Sequence, residues 1–448
     1  MALFPDLGVK LRGCLCDVPR YASAQPLVFL DLVENCLFLN WKLTPVPICQ
    51  KVIYGWALTK LGCQYRASRK EEEISMNCVF AKELYTGKSV LENRHVVFDK
   101  NEIVSISKAR KGSLLGEYAI ITPAFIDPHS HIGMVRSGEP SNEAEANEHM
   151  DTILALADAL DSVHMDDQAF REAVEMGVLY SCVVPGSGNI IGGRSAVIRN
   201  FASNSSAALV SRRGLKAAFG YNPMSTRRWK GTRPSTRMGA LALLRKRFDE
   251  VLQKMETRKK AKKKKPEAEA FSAEELVLRD LLRKKLVLRD HVHKTDDVAV
   301  VLRLADAFGL KVCVEHAMDI NEPETFLELK RRKIPVTYGP LDAFAYKVEL
   351  KHSSWKNIAH LLDAGVDFGL MTDHPVTPAG SLFLQTRWFT RFGVSKQQAV
   401  EIVSRRNAGI LGLGDRLGTL EKGKWASFVC WNGDPFDITH FPLAVYGE

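Results

Sequence analysis

Short apolar runs alternate with amphipathic stretches along most of the chain after residue 121. Eight of these runs have the length and composition of β-strands, namely "TPAFIDPHSH", "VLYSCVVPG", "SAVIRNFA", "GLKAAFGY", "KLVLRDHVH", "LKVCVEHA", "IPVTYGP" and "VDFGLMTDHP". Helical stretches such as "DDVAVVLRLADAFG" and "SWKNIAHLLDAG" lie between them and end in glycine, as many helices do. Eight strands, each followed by a helix or an irregular crossover, predict an α/β fold of the (β/α)8 TIM-like barrel type. An open doubly wound sheet is the alternative.

The pattern of apolar and polar residues changes on both sides of this alternating region. We assign residues 123–412 to the barrel, with short strand-like pieces before it over 74–122 and after it over 413–448. Residues 1–73 contain scattered apolar runs without a clear period. They are expected to be either an N-terminal extension or a segment upstream of a true start at Met76, and we favour the second because they add no element that the later fold needs.

The formal net charge of +10 has a local source. Seven of the eight residues in "RKKAKKKK" (258–265) are basic, and without them the charge would be +3. Helical patterns flank this run, so we assign residues 256–270 to a basic insertion that forms a solvated loop between helices. A localisation signal or a contact with a polyanion is the alternative. Nucleic-acid binding is therefore not expected as the main function.

Other features of the composition indicate a cytoplasmic protein rather than a membrane or secreted protein. No stretch approaches 18 consecutive apolar residues, and the N-terminus lacks a charged region followed by an apolar core. Six of the nine cysteines precede residue 79, and the other three lie singly within apolar runs. A reduced compartment is the simplest interpretation of this pattern.

Histidine and aspartate residues stand at the ends of four predicted strands. The first ends in His129 and His131, the fifth in His291 and His293, the sixth in His316, and the eighth in Asp373 and His374. Residues i and i+2 of a strand face the same side, and the ends of barrel strands meet on one face. Imidazoles packed together there would need many buried partners. A divalent cation would be such a partner, because it binds nitrogen and oxygen ligands at about 2.0–2.2 Å. The pattern predicts a metal site, with Zn²⁺ as the expected ion.

The motifs "FIDPHSHIG", "EHA" and "MTDHP", with the tail "NAGILGLGDRLGTLEKGKWASFVCWNGDPF", resemble the amidohydrolase superfamily of metal-dependent hydrolases. The imidazolonepropionase-related branch is the most similar, and "PGSGNIIGG", "GYNP", "TRMG" and "HVHKTDD" add to the resemblance, which covers about residues 76–448. It implies a distorted (β/α)8 barrel with a small β-sandwich domain formed from 74–122 and 413–448. Relatives run through another strand beyond "AVYGE", so the second part of the sandwich is expected to be incomplete.

The resemblance also implies roles for the residues at the strand ends. His129 and His131 are expected to bind a first metal together with Asp373, and His291 is expected to be a further ligand. His316 is expected to bind a second metal or to polarise the substrate carbonyl. His293 faces the same side as His291, so the division of roles between these two stays open.

Two-metal relatives have a carboxylated lysine or a glutamate from the third or fourth strand as a bridging ligand. Lys216 is the candidate here, and the metal count stays open between one and two. Asn189, Arg237 and His374 lie in motifs near the expected mouth of the barrel and are candidate substrate-binding residues. Asp296 and Asp297 lie at the start of the helix that follows the fifth strand. Acidic residues at this position interact favourably with the helix dipole, so we interpret them as part of the helix cap.

These ligands predict hydrolysis of a non-peptide carbon–nitrogen bond, in a cyclic amide or a related small molecule. A divalent metal lowers the pKa of a bound water toward about 7. Asp373 is expected to accept the water proton and pass it to the leaving nitrogen, while the metal or His316 stabilises the oxyanion. A prolidase-like dipeptidase or a deaminase on the same barrel is the alternative. A non-catalytic scaffold is less favoured because the expected ligands are present, and the sequence leaves a homo-oligomer open.

Overall fold

The computed structural model describes residues 76–261 and 270–447. Two sheets contain the fourteen strands of these residues. The smaller sheet consists of β1 (Asn77–Tyr85), β2 (Val90–Asp99), β3 (Glu102–Ser107), β4 (Ser113–Pro123), β13 (Phe428–Trp431) and β14 (Pro442–Tyr446). The barrel sheet consists of β5 (Phe125–Ser130), β6 (Val178–Val183), β7 (Ile191–Arg199), β8 (Leu209–Ala218), β9 (Val287–Val292), β10 (Val312–His316), β11 (Val336–Tyr338) and β12 (Phe368–Leu370).

Most of the helices follow barrel strands and pack outside them. They are α1 (Gln168–Glu175), α2 (Ser205–Ala208), α3 (Asn222–Ser225), α4 (Arg237–Ala261), α5 (Ala273–Leu282), α6 (Thr295–Phe308), α7 (Pro323–Arg331), α8 (Ile358–Ala364), α9 (Arg387–Thr390), α10 (Lys396–Glu401) and α11 (Asn407–Ile410). Gly309 and Gly365 follow α6 and α8 with φ of 64° and 61°. This left-handed conformation favours glycine and stops the helix where the sequence predicts its end.

The barrel strands lie side by side in chain order from β5 to β12. A doubly wound sheet would reverse its order at some point, so this alternative is wrong for the described residues. Seven strands run parallel, but β7 is antiparallel to both β6 and β8. Only residues 184–190 connect β6 to β7, and a parallel crossover needs a dozen residues or more. The short connection therefore forces a hairpin, which distorts the (β/α)8 pattern.

The barrel closes between β5 and β12 without a regular ladder among the described residues. Loop backbone supplies part of the closure, because the Asp373 amide donates to the His129 carbonyl at 3.1 Å and the His131 amide donates to the His374 carbonyl at 2.9 Å. Thr372 adds a hydrogen bond from its amide to the Asp127 carboxylate at 3.2 Å. We call this line of contacts the seam, and it lies where the predicted ligands of β5 and β12 meet.

Asn407 connects the two strands of the seam from the end of the helical segment that follows residue 395. Its side-chain amide donates to the Ile126 carbonyl at 2.6 Å and to the Leu370 carbonyl at 2.9 Å, and its oxygen accepts from the Leu370 amide at 3.1 Å. One fully buried side chain thus satisfies three buried backbone groups on the first and last barrel strands. This is the physical role of the asparagine in the motif "NAGILG".

The smaller sheet combines strands from both sides of the barrel, in the order β14-β13-β4-β1-β2-β3. β1 pairs with β4 in parallel, and the other neighbours are antiparallel. Its apolar face buries Val79, Leu84, Phe98, Ile121 and Phe428. The second layer of a β-sandwich stays a prediction.

The basic run differs in part from its prediction. α4 continues to Ala261, so the first residues of "RKKAKKKK" are helical rather than part of a loop. Residues 262–269 lie outside the described residues, as does the N-terminal segment 1–75. No helix in the described part of the chain is long and apolar enough to cross a membrane.

The seam predicts a large effect of one substitution. Asn407→Ala should lower the free energy of unfolding by about 3 kcal/mol, because it leaves buried backbone groups of Ile126 and Leu370 without partners. Urea unfolding measures the difference, and Asn142→Ala, at an exposed position, is the matched control. A loss no greater than that of the control would contradict the role of Asn407 in closing the barrel.

Candidate metal centre

The predicted ligands of β5 and β12 converge at the mouth of the barrel. His129 Nε2 lies 3.3 Å and His131 Nε2 lies 3.2 Å from the same oxygen, Oδ1 of Asp373. The side chain of His129 is fully buried, and those of the other two residues are 12% and 14% exposed. These three side chains form the first donor group, whose ligand atoms all lie within 4.8 Å of one another.

The histidines of β9 and β10 form the second donor group. His291, His293 and His316 are all buried, and their ring centroids are 4.2–4.8 Å apart. The two groups adjoin, because the ring of His316 lies 5.0 Å from that of His129 and its Nδ1 lies 3.9 Å from Asp373 Oδ2. All six residues predicted as the principal ligands therefore meet at one place.

Hydrogen bonds fix which nitrogen carries the proton in two of these rings. His131 Nδ1 lies 2.7 Å from the Val184 carbonyl, and His316 Nδ1 lies 3.1 Å from the Gly339 carbonyl. A carbonyl only accepts, so Nδ1 carries the proton and Nε2 of the neutral ring presents a lone pair. When the His131 ring is neutral, this lone pair faces a carboxylate oxygen at 3.2 Å, which is also an acceptor, so a proton or a metal ion must lie between the two atoms.

The second donor group holds neutral rings with unused nitrogens. Burial lowers the pKa of all three histidines well below the ordinary value, and the nearby charge of Lys347 adds to this for His291 and His293. His291 Nδ1, His293 Nδ1 and His316 Nε2 are buried and find no hydrogen-bond partner among the described residues. Neutral imidazoles with free lone pairs are the form that binds a divalent metal, so the donor set fits one.

A buried ion pair contacts the first donor group through His129. The sequence motifs did not predict this ion pair. Glu315 is fully buried, with Oε2 at 2.6 Å from His129 Nδ1 and its other oxygen paired with Arg289. Arg289 also donates to the Pro128 carbonyl at 2.6 Å. Burial would raise the pKa of Glu315, but Arg289 and His129 outweigh it and lower the pKa to about 2. The sequence offered one signal for this ion pair, namely a charged residue within each of the two apolar strands β9 and β10.

A loop after β11 brings two further charged residues to the second donor group. Glu349 Oε1 lies 3.5 Å from His291 Nε2 and 3.8 Å from His293 Nε2. Lys347 Nζ lies 3.0 Å from the same carboxylate oxygen and 3.4 Å from His293 Nε2. The Tyr221 amide donates to Glu349 Oε2 at 2.9 Å and holds the carboxylate in place. No motif marks these residues, so sequence reasoning had no signal for them.

Lys216 is fully buried on β8, the fourth barrel strand. Its ammonium donates to Ser187 Oγ at 2.8 Å and to the Ala217 carbonyl at 3.2 Å. Burial lowers its pKa to about 8. The first of these contacts connects Lys216 to the glycine-rich loop 184–190. Its role as a bridging ligand stays a prediction.

The candidate substrate-binding residues occupy different settings. Asn189 is buried and donates to two backbone carbonyls of the segment 148–151. Arg237 is paired with Asp297 through contacts of 2.6 and 3.0 Å, so that aspartate binds an arginine besides lying in the first turn of α6. His374 accepts at Nδ1 from a backbone amide at 3.2 Å, and its Nε2 has no partner in the described chain. Of these three residues, only His374 has a buried side-chain atom without a hydrogen-bond partner among the described residues. All three roles stay predictions.

A cavity of about 310 Å³ opens beside both donor groups. His293 and Asp373 line its inner end, and the loop from Pro340 to Trp355 lines much of the remainder. A barrel that carries imidazole and carboxylate groups at the ends of its strands, next to an open cavity, has the features of a metal-dependent hydrolase.

Comparison with known proteins agrees with this class. The model of the Amidohydrolase family matches residues 120–445, and the chain belongs to this family. The resemblance found in the sequence is confirmed. A crystal structure of an amidohydrolase from Thermotoga maritima is 32% identical, with a TM-score of 0.78, and the alignment covers 83% of this chain and 97% of that one.

Two curated relatives match over parts of their length. Amidohydrolase tasK of Hapsidospora irregularis is 24% identical over 381 residues, 78% of this chain and 39% of the relative. Imidazolonepropionase of Aeromonas hydrophila is 33% identical over 141 residues, 31% of this chain and 33% of the relative. The matched regions therefore span about two fifths and one third of these relatives. A prolidase structure complexed with N-methylphosphonate-L-proline is 14% identical with a TM-score of 0.52, which shows the fold alone.

The contact between Glu315 and His129 predicts an effect on metal affinity. Glu315→Gln should weaken binding of a divalent metal by about 10–100-fold, because the amide no longer balances Arg289 or fixes the His129 tautomer. Calorimetric titration of metal-free protein with Zn²⁺ measures the affinity. Glu328→Gln, which changes a glutamate paired with surface arginines, is the control. Unchanged affinity in a folded Glu315→Gln protein would show that the contact does not support the site.

Two matched double variants test how many metals bind. We expect one or two equivalents of a divalent metal per chain, and loss of one equivalent when His129 and His131 are both changed to Asn. If each donor group holds its own ion, the change of His291 and His293 to Asn removes the other equivalent. Mass spectrometry of dialysed protein gives the metal content. Less than one equivalent in the unaltered protein would contradict the metal assignment.

Proposed function

We propose that this protein uses a divalent metal, with zinc as the expected ion, to hydrolyse a non-peptide carbon–nitrogen bond in a cyclic amide or a related small molecule. One observation carries the proposal: two adjoining donor groups with unused imidazole nitrogens lie at the inner end of an open cavity. The nitrogen-rich donor set suits zinc. When bound there, a divalent ion supplies a Lewis acid and lowers the pKa of a coordinated water.

Asp373 is in position to move the proton in this reaction. One carboxylate oxygen faces His129 and His131, and the other faces His316. The side chain also lines the cavity, so a substrate and an attacking water can approach it. A carboxylate placed in this way can accept a proton from the water and deliver it to the leaving nitrogen, which a tetrahedral intermediate must expel as a neutral amine.

His316 can stabilise charge on the substrate carbonyl. Its Nδ1 is held by the Gly339 carbonyl, and its buried Nε2 has no partner in the described chain. The lone pair on that nitrogen can bind a metal, and a metal held there would stabilise the negative charge of the oxyanion. A neutral ring protonated at Nδ1 has no proton at Nε2 to donate to the oxyanion itself. His291 and His293 supply two other donors at the same point.

A prolidase-like dipeptidase is the second candidate, and Lys347 favours it. Its side chain is 8% exposed and lines the cavity, and its Nζ lies 3.4 Å from His293 Nε2. An ammonium group next to the reacting centre could bind the terminal carboxylate of a dipeptide. Glu349 already balances this charge at 3.0 Å, so a dipeptide carboxylate would compete with it. We therefore place this function second.

Substitution of Asp373 tests the proposed mechanism. Asp373→Asn should lower kcat by at least about 10²-fold, because the amide cannot accept the water proton. Turnover is measured at saturating Zn²⁺ with a panel of cyclic amides, dipeptides and aminopurines, and bound metal is measured in parallel. Asp363→Asn, at an exposed position on α8, is the control. Full turnover by Asp373→Asn with metal still bound would rule out the mechanism, and a preference for dipeptides would favour the second candidate.

A further inference from the structure

Four aromatic side chains line the cavity beyond its polar inner end, and we call them the aromatic band: Phe344, Tyr346, Trp355 and Trp388. Phe344 is 83% exposed and Tyr346 is 64% exposed. Single exposed apolar residues are ordinary on protein surfaces. Four aromatic residues that line one cavity together with candidate metal ligands are less ordinary, because small-molecule sites are typically lined by aromatic side chains with a few polar groups.

The two indoles of the aromatic band are held in fixed positions. Their ring centroids lie 5.4 Å apart with an angle of 30° between the planes, which is a stacked arrangement. Arg391 covers them, with its guanidinium carbon 4.3 Å from the Trp388 ring centroid and 5.7 Å from that of Trp355. The indole N–H of Trp388 donates to Asp342 at 2.7 Å, and Arg387 holds that carboxylate with two further contacts of 2.8 and 2.9 Å. Arg387 also lies over the Trp388 ring, with its guanidinium carbon 4.9 Å from the centroid. The indoles therefore form a fixed wall, and the exposed rings of Phe344 and Tyr346 offer most of the accessible aromatic surface. A rigid wall of this kind lowers the entropic cost of binding a planar group.

The cavity has two chemically different ends. His293, Lys347 and Asp373 provide nitrogen and charge at the inner end, where the carbon–nitrogen bond must lie for hydrolysis. The aromatic band lines the same cavity, and the exposure of Phe344 and Tyr346 places these two rings toward solvent. A substrate that fills both ends has an amide at one end and a large apolar group at the other.

We propose that the substrate carries an aromatic or similarly large planar group on one side of the scissile amide, and that this group binds against the aromatic band. The inference rests on the proposed function, since it takes the inner end of the cavity as the reacting centre. Phe344 and Trp388 are then residues that determine specificity. Burial of one ring against them is worth a factor of about 10–100 in binding.

Binding is tested first with small amides on the zinc-loaded protein. Phenylacetamide should bind at least tenfold more tightly than acetamide in calorimetric titrations, and Phe344→Ala should remove most of this difference. Phe441→Ala, which removes a 48% exposed phenylalanine that does not line the cavity, should leave it unchanged. Equal binding of the two amides would overturn the proposal, as would an equal effect of both substitutions.

Turnover is tested with pairs of amides that differ in a phenyl or a methyl group on one side of the scissile bond. The phenyl member should have a kcat/KM at least tenfold higher on one of the two sides, and Phe344→Ala and Trp388→Ala should each reduce that ratio. Phe344 is so exposed that its replacement should leave the melting temperature unchanged, which separates lost recognition from unfolding. Turnover without a preference for the phenyl members would overturn this inference and leave the proposed function intact. Tight phenyl-dependent binding without any turnover would support the aromatic site and contradict the proposed function.

Discussion

Closure of the barrel at the seam between β5 and β12 is the constraint on which the rest of the site depends. These two strands share no regular ladder among the described residues, and they are joined by Asn407, by the Asp127 carboxylate and by backbone bonds of the residues that bear the ligands. The His129 carbonyl accepts a hydrogen bond from the Asp373 amide, and the His129 ring faces the Asp373 carboxylate. A metal held between these side chains would therefore also hold the barrel shut, and folding and metal binding become coupled.

Charges inside the barrel compensate one another in pairs, and this allows a polar site in a closed core. Glu315 lies between Arg289 and His129, while Glu349 lies beside Lys347. An isolated buried charge would cost several kcal/mol, so neither member of a pair is dispensable once the other is present. Outside these pairs, His291 Nδ1, His293 Nδ1 and His316 Nε2 have no hydrogen-bond partner among the described residues, and neither do the carboxylate oxygens of the buried Asp290.

Much of the barrel and the ligand set could be predicted because both follow local rules. Strand ends of a barrel meet on one face, so His129, His131 and Asp373 could be brought together without knowledge of a single contact. The reversal of β7 was missed because it follows from a short connection, which in the sequence is also compatible with an irregular crossover. Lys347 and Glu349 were missed because their place comes from the path of a loop, which carries neither period nor motif. Helix α4 extends into the basic run because its lysines are as compatible with a helix as with a loop.

The reversed strand has a mechanical consequence. β6, the loop 184–190 and β7 form one hairpin inside the barrel wall, and the loop carries the Val184 carbonyl that holds His131 and the Ser187 hydroxyl that holds Lys216. Those two residues belong to opposite flanks of the hairpin, next to β6 on one side and on β8 on the other. A slip of β6 against β7 would displace both anchors at once. In a regular β/α repeat a separate crossover helix would connect the two strands, and it could take up such a shift. Both anchors at the mouth are thus carried by a single hairpin, whose other end lies where Arg199 pairs with Tyr180.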